Sequence, residues 1–139
     1  TLIKLDDERF ELWVAAVNAQ QVSAFMSLAS GDEQWCIDNI KQGIAEVRKE
    51  TIEVFIPQML NFQVLREAIS FTKGCYTGQE VVARMHYLGK LKKHLYHFSV
   101  DASTPLLPNT PLYTPDKKQA IGHVALSAPI KSGQILLAV

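Results

Sequence analysis

The chain has 139 residues, 47% apolar and 20% charged, with 14 basic against 14 acidic side chains. That suits one ordinary domain, or two small ones sharing an interface. Zero net charge does not favour direct nucleic-acid binding, no segment approaches the roughly 18 consecutive apolar residues of a membrane span, and two cysteines, Cys36 and Cys75, make no disulfide framework, so a reducing cytoplasmic setting is the simplest expectation.

The chain opens on Thr1 rather than Met, shows no basic-then-apolar leader, and enters a strand-like run at once. It closes inside the apolar run Ile135-Leu136-Leu137-Ala138-Val139. Domains rarely begin and end inside an element, so a piece of a longer protein is expected. Thr1 to Leu5 alternates polar and apolar side chains and reads as a strand, followed by the polar turn Asp6-Asp7-Glu8. Arg9 to Ala15 places Phe10, Leu12 and Val14 on one face and reads as a second strand, hairpin-paired with the first. Asn18 is a cap candidate for a helix whose stripe is Val22, Phe25, Met26 and Ala29, ended by Ser30-Gly31. Asp32 is a second cap candidate. Trp35 to Gln42 reads as a short helix stopped by Gly43, with Ile37, Ile40 and Ile44 facing inward. Trp13, Trp35 and Cys36 are expected to pack.

Between Lys49 and Leu60, Ile52, Val54 and Ile56 alternate, and Pro57 demotes the end of the run to an edge strand or loop. Asn61 to Phe71 has no clear pattern. Thr77 to Tyr87 reads as a helix with Val81, Val82, Met85 and Leu88 on a packing face, broken by Gly89. After Lys90 the character changes. His94 to Val100 alternates, with Leu95, His97 and Ser99 opposite Tyr96, Phe98 and Val100. Four prolines between Pro105 and Pro115 mark a loop, and Gln119 to Ser127 and Gln134 to Val139 read as strands around the turn Lys131-Ser132-Gly133. Short strands with Pro/Gly turns suggest a small barrel or sandwich. The expected fold class is α+β, with one region over 1–89 and a second over 90–139.

Lys73-Gly74-Cys75-Tyr76-Thr77-Gly78-Gln79-Glu80 concentrates the chemistry. Its glycines allow tight turning and close approach to a ligand. With a helix starting near Thr77, Cys75 would lie just before free amide groups and the positive end of a helix dipole, with Lys73 two residues away. Both favour a thiolate. Glu80 falls in the first helical turn and Arg84 follows at i+4, where the two can pair. Gln79 and Tyr76 add an amide and an aromatic face, which suits a flat heteroaromatic ligand with hydrogen-bonding edges. The plainer alternatives are a Cys that merely packs and a surface ion pair. No Gly-x-x-x-x-Gly-Lys-Ser/Thr order is present.

This octapeptide, with Arg84 and Gly89 following, resembles the signature of the YgfZ family, relatives of the glycine-cleavage T-protein, an aminomethyltransferase. The looser resemblance runs from about Trp35 to the C-terminus, and more weakly to Thr1. It implies the C-terminal part of a T-protein-like folate-binding α+β region followed by a small antiparallel β-barrel. It also implies tetrahydrofolate as cofactor and a role in making or repairing iron–sulfur enzymes, including those that modify tRNA. The family's critical cysteine maps to Cys75 and its neighbouring lysine to Lys73; Tyr76, Gln79, Glu80 and Arg84 are the cofactor-binding candidates. Where T-proteins carry Arg-x-Glu-x-Gly on the preceding helix, this chain reads Asn39-Ile40-Lys41-Gln42-Gly43, so both charged positions differ. The T-protein's catalytic acid lies in an N-terminal region that has no counterpart here, and folate is expected to sit between that missing half and this one.

His86, His94, His97 and His123 do not fall at metal-ligand spacing, and no metal site is expected. Lys90, Lys92 and Lys93 with His94 form a basic run that could meet a folate polyglutamate tail or RNA phosphates, although such runs are commonly solvated linkers. Three functions fit: a folate-binding accessory protein with an essential thiol, serving iron–sulfur enzymes or assembly proteins; a folate-dependent aminomethyltransferase; and a non-enzymatic interaction module. The altered Asn39 and Lys41 count against the second, so whether the chain is an enzyme stays open.

Overall fold

A computed structural model of the chain describes residues 1–5, 7, 9–25, 32–65, 68–116 and 118–139. It divides into two compact units, Thr1–Gly31 and Asp32–Val139. The fold is α+β.

In the first unit, strand β1 (Leu2–Lys4) pairs antiparallel with β2 (Phe10–Leu12), with Leu2 opposite Leu12 and Lys4 opposite Phe10. The expected hairpin therefore forms, though its strands are three residues each. The Thr1 ammonium donates to the Trp13 carbonyl at 2.7 Å, and the Trp13 amide donates to the Thr1 carbonyl at 2.7 Å, closing the open end. A 3-10 turn at Ala16–Asn18 leads directly into helix α1 (Ala19–Phe25). Asn18 thus belongs to a helical turn rather than standing as an isolated cap. The remainder of the expected stripe, Met26 and Ala29, and its stop at Ser30-Gly31 lie outside the described residues, as do Asp6 and Glu8. Trp13, expected in the core, is 66% exposed, and its indole N–H donates to Glu11. A two-stranded hairpin has too few neighbours to bury so large a ring.

The second unit is built on a four-stranded antiparallel sheet of order β3-β6-β5-β4, formed by β3 (Tyr96–Val100), β4 (Pro111–Leu112), β5 (Gly122–Ile130) and β6 (Gly133–Ala138). β3 and β4 are its edges; no described pairing joins them into a closed barrel. β5 and β6 are near-continuous apolar runs because both faces of this hairpin are covered. Toward one face lie Leu126, Ala128, Ile135 and Leu137, packed with Ile40 of helix α2 (Asp32–Lys41), Ala45 and Leu60. Toward the other lie Val124, Leu136 and Ala138, covered by Leu106 and Leu112 of the proline-rich segment. On β6 plain alternation divides the two cores, whereas on β5 a bulge lies between Val124 and Leu126. The extra residue lets Val124 face one core and Leu126 the other, although in a regular strand they would share a face.

Helix α2 stops as Gly43 predicts. Gly43 sits at φ 70, the Ile44 amide donates to the Asn39 carbonyl and the Gly43 amide to the Ile40 carbonyl. These two bonds form the glycine-terminated C-cap that satisfies the last carbonyls. The alternating run Ile52, Val54 and Ile56 is not a strand. It is a loop between two 3-10 turns, Lys49–Thr51 and Pro57–Leu60. Reciprocal bonds between Arg48 and Thr51 close the first turn, Glu53 takes φ 63, and Ile52 is 60% exposed, so the alternation has no sheet to face. Asn61, at φ 59, ends the second turn and leads into the short helix α3 (Phe62–Leu65). Helix α4 (Gln79–Leu88) follows, and only Val82 of its expected packing face is buried; Val81 and Leu88 are 57% and 85% exposed. The expected break at Gly89 falls inside this unit, at the end of α4. A Cβ there would strike the Met85 sulfur and backbone, so the close turn itself requires glycine.

Gln134 holds the proline-rich segment to the sheet. It is 4% exposed, and its amide donates to the Thr104 and Ala102 carbonyls while its oxygen accepts from the Leu106 amide at 2.9 Å. The Ser127 hydroxyl adds a bond to the Leu106 carbonyl. Gln134→Leu should therefore destabilise the chain by about 2–4 kcal/mol in chemical denaturation, since three bonds disappear and backbone groups are left unpaired. The neighbouring exposed change Lys131→Gln should stay within about 0.5 kcal/mol. Equal effects at the two positions would contradict the clamp.

Candidate functional site

The octapeptide begins on the irregular stretch after Ile69 and runs into α4. The Ser70 hydroxyl accepts from the Lys73 amide at 3.2 Å. Lys73 then turns back, its ammonium 4.7 Å from the centre of the Tyr76 ring, a cation–π contact. Thr77-Gly78 forms a turn, and Gly78 takes φ 84 with open space where a side chain would stand. Its left-handed backbone delays the helix, which starts at Gln79 rather than near Thr77. Cys75 is exposed and is separated from the first helical turn by Tyr76, Thr77 and Gly78. Because the dipole effect fades within the first turn, the helix start does not reach Cys75, and what distinguishes this thiol is its exposure.

The Gln79 side chain folds back, its oxygen accepting from the Tyr76 amide at 3.4 Å, while the Gln79 amide donates to the Tyr76 carbonyl at 3.2 Å. Gln79 thereby shapes the loop around Tyr76. Glu80 and Arg84 pair at 2.6 Å, as their i,i+4 spacing predicts, on an open surface where the pair adds little stability.

Among the described residues the site candidates are divided between separate cavities. Lys73 and Tyr76 line a small pocket of about 130 Å³ with Pro57, Phe62, Ile69 and Val82. Glu80 and Arg84 line a separate shallow groove along α4 with Val81, Met85 and Leu88. Cys75 lines neither. Among the described residues no group of three or more His, Cys, Asp or Glu side chains is placed to hold a metal ion. No helix among them is long and apolar enough to cross a membrane.

Two features escape a reading of the sequence. Gln58, 7% exposed, donates from Nε2 to the Val82 carbonyl at 2.8 Å and ties α4 to the Pro57–Leu60 turn, while its Oε1 is buried without a partner. The rings of Phe71 and His86 stack at 4.0 Å, and Gln63 Nε2 lies 2.9 Å from His86 Nδ1. Both join residues far apart in the chain. The nearest local signal was a glutamine directly after Pro57, where a strand would leave it exposed.

Helix α2 presents the second thiol to a polar cluster. Asn39, 2% exposed, donates to Glu46 at 2.8 Å; Glu46 pairs with Arg48 at 2.5 Å; and Arg48 donates to the Cys36 sulfur at 3.4 Å. Burial pushes the Cys36 thiol up from its ordinary value. Arg48 opposes the rise, while Glu46 and Asp32 add to it. A thiol pushed up keeps its proton in the folded chain after the unfolded chain has lost it. Stability should therefore fall as pH rises through the ordinary thiol range, and Cys36→Ser should flatten that decline. At pH about 8, iodoacetamide should modify exposed Cys75 roughly tenfold or more faster than Cys36, read by mass spectrometry of the two peptides. Equal rates would contradict this division.

No protein-family model matches the chain. Among individual relatives, an uncharacterized protein of Haemophilus influenzae is 47% identical over 72 residues, covering 51% of this chain and 26% of that protein. The tRNA-modifying protein YgfZ of Colwellia psychrerythraea is 46% identical over 71 residues, covering 51% of this chain and 22% of that protein. The tRNA-modifying protein YgfZ of Yersinia pestis is 41% identical over 102 residues, covering 71% of this chain and 31% of that protein. The chain thus spans less than a third of the length of these relatives. With identity at this level to proteins of one name, and the octapeptide Lys73–Glu80 presented on a loop entering α4, the chain belongs to the YgfZ family.

Proposed function

We propose that this chain is the thiol-bearing part of a folate-binding accessory protein that supports iron–sulfur enzymes, among them enzymes that modify tRNA. The single observation that carries the reading is the octapeptide: it displays Cys75 on an exposed loop, beside a pocket walled by Lys73 and Tyr76, in a chain whose named relatives are tRNA-modifying proteins. In this reading the region up to α4 is part of a T-protein-like folate-binding fold. The Tyr76 ring and the apolar wall of Phe62 and Val82 suit the flat face of a pterin, and Lys73 suits an anionic group of the same ligand. The fit is partial. A pocket of about 130 Å³ has room for one heteroaromatic ring, well under the roughly 300–1,000 Å³ of a complete small-molecule site. The remaining walls are assigned to the rest of the longer protein, which makes that segment the first partner. Two cysteines without a disulfide suit a reducing, cytoplasmic setting.

An aminomethyltransferase is the weaker reading. The buried Asn39 amide is held by Glu46, and Lys41 is exposed at the end of α2, so this helix offers no carboxylate where the T-protein pattern has one. Titration calorimetry of tetrahydrofolate into the full-length protein is the test. Binding is expected, with Lys73→Gln weakening it about tenfold by removing a charge-assisted bond to the ligand. In cells lacking the native gene, Cys75→Ser should abolish restoration of tRNA modification while Cys36→Ser retains it. Absence of folate binding, or full restoration by Cys75→Ser, would overturn the proposal; methylene transfer in a glycine-cleavage assay would favour the enzyme instead.

A further inference from the structure

The zero net charge of the chain hides a local excess. Lys90, Lys92 and Lys93 stand within four positions, followed by His94, and among the described residues none of the three lysines forms an ion pair. They lead into edge strand β3, whose alternation places Tyr96 and Phe98 on the face opposite His97. Both rings are uncovered: Tyr96 is 60% and Phe98 42% exposed, with centroids 6.4 Å apart in an edge-to-face arrangement. Lys92, Lys93, His94, Tyr96 and Phe98 line one shallow groove of about 280 Å³ together with Val139, the last residue of the sequence.

We propose that this groove binds single-stranded RNA, with bases stacking on Tyr96 and Phe98 and phosphates meeting Lys92 and Lys93. Adjacent aromatic faces beside a cationic edge form the pairing that single strands use: the rings accept any base, and the lysines track the backbone. A duplex, whose bases are already stacked, could use only the lysines. An acidic peptide could satisfy the charge but has no flat rings to cover Tyr96 and Phe98. The choice of RNA over DNA rests on the tRNA reading above, whereas the stacking surface stands on its own geometry.

The test uses the full-length protein and fluorescence anisotropy with a labelled single-stranded RNA of ~10 nucleotides, its duplex form, and a poly-glutamate peptide. The single strand is expected to bind more tightly than the duplex. Tyr96→Leu and Phe98→Leu keep apolar bulk but remove the ring, and each should weaken single-strand binding five-fold or more while leaving duplex binding unchanged. Lys92→Gln with Lys93→Gln should make the dependence of log K on log salt shallower by about 0.7 for each phosphate that is no longer neutralised. Circular dichroism melts of each variant must match the parent. No measurable RNA binding, equal weakening for single strand and duplex, or preference for poly-glutamate would overturn the proposal. So would hydroxyl-radical footprinting that finds Tyr96 and Phe98 protected in the free full-length protein, because another segment would then cover the face. If RNA binding fails while folate binding and the Cys75 requirement hold, only this inference falls. If RNA binding holds while those fail, only the folate and thiol reading falls.

Discussion

The pairing of β5 with β6 is the constraint on which the second unit depends. Among the described residues these two strands are buried over most of their length on both faces, and α2, β3 and β4 gain their positions by packing on or pairing with them. Helix α2 rests on one face through Ile40, and the proline-rich segment rests on the other through Leu106 and Leu112. The turn that joins them is unforgiving. Gly133 takes φ 126, and a Cβ there would collide with the Val100 carbonyl on neighbouring β3. The bulge near Val124 completes the arrangement by changing which face the strand offers partway along.

Much of this was legible from local chemistry. The hairpin at the start, the glycine stop of α2, the alternation of β3 and the Lys131-Ser132 turn all follow from nearest neighbours in the chain. The run Ile52-Val54-Ile56 shows where that reasoning breaks. Its alternation matches a strand, but Thr51 and Pro57 impose turns on either side, and no partner strand reaches it. Turn chemistry outweighed periodicity. Trp13 failed for a different reason, since burial depends on what surrounds a residue, and the local sequence carries no record of that.

The site was legible to a lesser degree. The octapeptide, its order and its Glu80–Arg84 pair could be read directly. Its geometry could not. The left-handed Gly78 moves the helix start away from Cys75, and Lys73 turns its charge toward the Tyr76 ring. Gln58, Phe71 and His86 contribute to the surroundings of α4 through contacts across the fold, which no spacing rule encodes. The two thiols are likewise sorted by environment: one is held beside Arg48 and Glu46, the other left open to solvent.

The sheet order β3-β6-β5-β4 also separates a short-range pairing from a long-range one, a difference that bears on how readily each can form. β5 and β6 are joined by a two-residue turn and can meet quickly, because closing so short a loop costs little entropy. β3 pairs Tyr96 with Ala138 and Val100 with Gln134, so the whole proline-rich segment has to be gathered before that ladder can zip. Non-local pairings of this kind set the pace of folding. Gln134 lies at the junction of both pairings: its backbone pairs with Val100 and its side chain collects the intervening segment. The residue that anchors the loop thus also stands at the end of the β3–β6 ladder with the shortest chain separation.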